Sequence, residues 1–108
     1  MDKIINILEE LEKQGIPYAY DHFAEGEGPD PPFLCFRCPN SDNFAADGTV
    51  YFPITEIDIE LYTDRKDPDT EKKLEDLLTK GGIFFDKTET FIDSEKLYEV
   101  LYSFEQEA

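Results

Sequence analysis

The residue types that could do chemistry are few, and most lie in the first 40 positions. Cys35 and Cys38 form a CxxC spacing, "CFRC", which is that of a reactive dithiol or of one half of a zinc site. The second half is missing: His22, the single histidine, supplies a third ligand but nothing nearby supplies a convincing fourth. His22 follows Asp21, an acid beside a base, although a neighbouring aspartate usually points elsewhere and a lone histidine is more often a surface hydrogen-bonding residue. "GEG", ending at Gly28, lacks the lysine and the helix of a phosphate-cradling loop. "DPDTE", starting at Asp67, is rich in carboxylates but misses the alternating ligand spacing of a calcium loop, and Pro68 at a helix start accounts for it. The expectation is a protein with no catalytic residue, no cofactor and no metal site, and therefore not an enzyme.

The chain that carries these residues has 108 of them, enough for one core, so residues 1–108 are read as a single domain. Nine Phe, six Tyr and 40% hydrophobic content argue for a folded chain. The 26 acids against 10 bases give a formal charge of −16, which repels phosphate backbones and anionic membranes; direct nucleic-acid or membrane binding is not expected. No apolar run approaches the roughly 18 residues of a membrane span, and the acidic N-terminus lacks a signal-peptide pattern, so a cytoplasmic protein is expected. The acidity is uneven. Residues 21–50 hold six acids opposed by Arg37 alone, whereas residues 51–80 hold nine acids and five bases.

Ile4, Ile7, Leu8 and Leu11 recur at helical spacing, which predicts a helix over 2–14 with Asp2 at its start and Gly15 after its end. A short strand at 17–20 follows, then a proline- and glycine-rich connector, then a buried strand at Phe33–Arg37 closed by Pro39. "DG" at Asp47 and Gly48 signals a turn before a strand that begins near Thr49. Between 54 and 62, Ile57, Ile59 and Leu61 alternate with Asp58, Glu60 and Tyr62, the pattern of a strand with one face in the core. Asp67 as cap, Pro68 at the first position and the stripe of Leu74, Leu77 and Leu78 predict a second helix stopped by Gly81. Leu97, Val100, Leu101 and Phe104 fit a helical face, but the aromatic density of "LYEVLYSFE" favours a strand, which makes residues 83–106 a hairpin turning at 93–96. The fold class expected is α+β: a mostly antiparallel sheet with two amphipathic helices packed on one face.

Two surfaces then stand out. Residues 38–51, "CPNSDNFAADGTVY", form a long segment between strands in which Phe44 either folds back as in a compact loop or anchors another subunit, with Asn40, Ser41, Asn43 and Asp47 as polar contacts around it. Asp58, Glu60 and Tyr62 would share the sheet face away from the helices, a candidate partner-facing surface.

Taken together, "PYAYDHF", "PPFLCFR", "ADGTVY", "DIELYTDRKDP", "GIFFDKTETFI" and "SEKLYEVLYSF" resemble small proteins of long-tailed phages and of prophages of Gram-positive bacteria, the tail terminator or tail completion proteins. The resemblance covers nearly the whole chain from Tyr18 on. It implies a small α+β domain that forms a ring with copies of itself, commonly a hexamer, capping the tail tube and joining it to the head connector. The implied partners are the tail-tube protein and the connector; the implied location is the host cytoplasm during assembly and then the head-proximal end of the virion tail. An acidic wall would let DNA slide through such a ring. The competing expectation is an acidic DNA mimic that inhibits a host nucleic-acid-binding protein, against which the alternation of Lys with Glu in the second helix counts.

Overall fold

The computed structural model describes residues 2–23, 28–38, 44–46, 49–52 and 54–107. Their order is α1 (Asp2–Lys13), β1 (Tyr18–Tyr20), β2 (Phe33–Arg37), β3 (Phe44–Ala46), β4 (Thr49–Phe52), β5 (Ile54–Thr63), α2 (Pro68–Lys80), β6 (Asp86–Ile92) and β7 (Leu97–Glu107). The α1 stripe of Ile4, Ile7, Leu8 and Leu11 is buried throughout. Gly15 then takes φ +91°, a left-handed conformation that only glycine adopts freely, and this turns Ile16 back into the core. At the start of α2 the Asp67 carboxylate accepts from the Thr70 amide at 3.2 Å and from the Thr70 hydroxyl at 2.8 Å; these bonds hold its pKa below the ordinary aspartate value. Pro68 occupies the first turn, where its missing N–H costs nothing.

Five strands form one sheet in the order β1-β2-β5-β7-β6, and β3 and β4 form a separate two-stranded sheet. The large sheet is mixed, which corrects the antiparallel expectation at one edge: β1 runs parallel to β2, while the other three pairings are antiparallel. Parallel neighbours need a crossover and not a tight turn. At the centre, β5 pairs with β7 from Ile54 opposite Glu107 to Thr63 opposite Tyr98. The terminal hairpin forms with its turn where expected, but its first strand begins at Asp86 and not at 83; β7 is a strand over its full length and Lys96 at φ +55° closes the turn.

A period of two places Leu34, Phe36, Ile57, Ile59, Leu61, Val100, Tyr102 and Phe104 in a single apolar cluster with the stripes of α1 and α2. Fully burying each such side chain contributes about 1.5–3 kcal/mol. Tyr102, fully buried, reaches a polar partner at its tip, where its hydroxyl donates to Glu75 at 2.7 Å.

The segment around Phe44 departs from the expected loop. Phe44 opposes Phe52, Ala45 opposes Val50 and Ala46 opposes Thr49, with a register shift between Phe44 and Ala45. Two alanines carry little strand preference, so β3 has no signature of its own and forms by pairing with the β-branched and aromatic β4. Asn40, Ser41, Asn43 and Asp47 lie outside the described residues. Among the described residues no helix is long and apolar enough to cross a membrane.

Candidate functional site

The alternation of β5 aims Asp58, Glu60 and Tyr62 to the side of the sheet opposite the apolar cluster, and register supplies their neighbours. Arg37 of β2 stands opposite Asp58, Cys35 opposite Glu60, and from β7 Ser103 stands opposite Asp58 and Glu99 opposite Tyr62. Cross-strand pairs on one face are close enough to interact. The Ser103 hydroxyl donates to Asp58 Oδ1 at 2.7 Å, and Arg37 Nη2 lies 3.7 Å from Asp58 Oδ2. Arg37 Nε lies 3.2 Å from Glu60 Oε1, an ion-pair distance, but this buried N–H has no hydrogen-bond partner. The Tyr62 hydroxyl lies 2.6 Å from Glu60 Oε2 and 3.0 Å from Glu99 Oε2, while its ring stacks on Phe33 with centroids 5.0 Å apart.

These carboxylates are not presented to solvent: Asp58 is 8% and Glu60 9% exposed, and Tyr62 is half-buried. Burial raises the Glu60 pKa above the ordinary glutamate value; the Tyr62 hydrogen bond and the Arg37 charge oppose the rise, and Glu99 adds to it. The Tyr62 phenol is pushed up by burial and by the two carboxylates it faces. One phenolic proton cannot satisfy two carboxylates at once, and burial together with the neighbouring Glu99 favours the protonated form of Glu60. What the cluster can do chemically is hold a proton and join three strands. It contains no nucleophile beside a base.

Cys35 does not change that conclusion. Burial pushes its thiol up to about 11, with Glu60 and Asp21 adding to the shift, so at neutral pH it is protonated and a poor nucleophile. Cys38 is also shifted up, by burial first, and packs against the apolar cluster; both cysteines are free thiols. Asp21 and His22 do meet, contrary to the expectation for neighbours in sequence: with Asp21 at φ +64°, its Oδ2 lies 2.8 Å from His22 Nδ1. The pair is exposed at the rim of a cavity of about 550 Å³ that Phe33, Cys35, Tyr62 and Ile92 also line. Among the described residues no group of three or more His, Cys, Asp or Glu could hold a metal ion.

A second polar cluster, not anticipated from sequence, ties α2 to β6. Glu71, 3% exposed, takes Lys66 Nζ at 2.7 Å and Lys87 Nζ at 2.8 Å; Lys87 also reaches Glu75 at 2.8 Å, and Lys66 pairs with Glu89. Burial alone would raise the Glu71 pKa, but hydrogen bonds from Lys66 and Lys87, with their charges, carry it below the ordinary value. Arg37 stands out in the sequence as the lone base among the acids of its region, whereas Glu99, Ser103 and Lys87 enter only through strand register and helix docking. Comparison with protein-family models and with curated proteins finds no match to this chain.

Proposed function

We propose that this protein is a tail terminator or tail completion component of a long-tailed phage, acting by assembly: copies of it ring the end of the tail tube, stop its growth and offer a surface to the head connector. The observation that carries this reading is the β3–β4 ribbon, which forms its own sheet outside the five-stranded one. A lone two-stranded ribbon is marginal in water and gains stability by packing on something else, as an arm that reaches a neighbouring subunit does. The resemblance of sequence phrases from Tyr18 on to that family points the same way. The shared apolar cluster is what two helices on one sheet face would produce; on the other face Asp58 and Glu60 are buried and engaged within the chain, which corrects the expectation that they form a partner-facing surface.

A DNA mimic needs carboxylates arrayed freely, and Asp58, Glu60, Glu71, Glu75 and Glu89 are instead engaged by Arg37, Lys66, Lys87 and Tyr62. The test is polymerisation of the cognate tail-tube protein with and without this chain, read as a length distribution by electron microscopy. Shortened, uniform tubes are expected; identical distributions would sink the proposal.

A further inference from the structure

The outer edge of the sheet carries a feature that a terminator role does not require. Among the described residues strand β6 is hydrogen-bonded on one side only, to β7, and residues 86–91 are all exposed. Just before it stands Phe84, 96% exposed, and near its end Phe91, 45% exposed. An exposed edge strand that follows Phe84 and carries Phe91 near its end can template another strand where that strand's charges complement its own Asp86, Lys87 and Glu89.

We infer that this edge binds β6 of a second copy, antiparallel, about a two-fold axis through Thr88. The sequence is self-complementary in that register: Thr88 faces Thr88 of the second copy, Lys87 faces Glu89, Asp86 faces Thr90, Phe85 faces Phe91 and Phe84 faces Ile92. Opposite charges meet, Thr88 meets Thr88, and Phe84 and Phe91, the two most exposed phenylalanines among the described residues, acquire apolar partners. Centring the axis one residue either way sets Lys87 against Lys87 or Glu89 against Glu89, and like charges directly opposite are unfavourable. Centring it on Thr90 places Glu89 against Phe91 and leaves Phe84 uncovered. One register therefore stands out from its neighbours. A two-fold contact of this kind is isologous and closes on itself as a dimer. It does not depend on the phage reading.

Thr88 is the residue to vary, because it is exposed and lies on the opposite side of β6 from Lys87, which binds Glu71 and Glu75 of α2, and from Glu89, which pairs with Lys66. The experiment is sedimentation equilibrium of the full chain, Thr88→Lys, Thr88→Glu and an equimolar mixture of the two variants. Wild type is expected at twice the 12.5 kDa chain mass at about 100 μM. Each variant alone should dissociate with Kd raised at least about tenfold, and the mixture should recover the dimer. Circular dichroism of the variants confirms that the monomer fold is intact. A monomeric wild type, or an association of any size indifferent to both variants, would overturn the inference.

Discussion

The Tyr62 hydroxyl lies between two carboxylates, 2.6 Å from Glu60 and 3.0 Å from Glu99, and so links the central strand to its neighbour β7 through a single proton. Tyr62→Phe keeps the ring on Phe33 but leaves the two acids facing each other without a donor. Loss of this charge-assisted bond should cost about 1.5–3 kcal/mol at pH 7, measured by urea unfolding, and less at pH 4, where Glu60 carries a proton. An unchanged midpoint at pH 7 would show that the bond contributes nothing net.

Glu60 itself has a raised pKa, so the folded state holds a proton there that the unfolded state has already released. Stability from this group is complete below the unfolded glutamate pKa and is lost as pH rises through the folded one. Glu60→Gln, which mimics the protonated form, should flatten the fall in thermal midpoint on going from pH 4.5 upward. A profile parallel to wild type would show that another group titrates.

Glu71 behaves in the opposite sense. Its lowered pKa gives stability that is present above the unfolded glutamate value and lost as pH falls through the folded one. Glu71→Gln leaves Lys66 and Lys87 without their buried partner and should destabilise by about 1–3 kcal/mol at pH 7, with the difference shrinking below pH 4. Because both lysines remain partly exposed, the cost should stay below that of breaking a wholly buried pair.

In the core, Leu78→Ala removes a fully buried side chain of α2 from the apolar cluster. A loss of about 2–5 kcal/mol is expected, a large part of the stability of a domain this size. Leu77→Ala, on the same helix but only half-buried, should cost clearly less in the same denaturation experiment.

Under the assembly proposal Phe44→Ala tests the ribbon. The thermal midpoint of the isolated chain should stay nearly constant while co-assembly with the tail tube weakens by about 2 kcal/mol or more. A large fall in midpoint would instead assign Phe44 to the stability of the domain.

The local signals in this sequence were sufficient wherever structure is local. The stripe of α1, the Asp67 and Pro68 start of α2, the left-handed Gly15 and the alternation in β5 all follow from periodicity and backbone chemistry within a few residues, and each is found where that chemistry puts it. Strand β7, whose apolar residues fit either period, follows from its aromatic and β-branched content, because such side chains suit a pleated surface. Pairing between distant segments is another matter. Nothing near Tyr18 states that its neighbour will run parallel, and nothing near Ala45 states that it will be a strand, because both depend on a partner elsewhere in the chain. The same holds for chemistry. Asp58, Glu60 and Tyr62 were legible as one face of a strand, but their burial, the raised Glu60 pKa and the bond to Glu99 exist only because register brings β2, β5 and β7 side by side. Charge at a sequence position is a local property, whereas the cost of that charge is set by whatever the fold places around it.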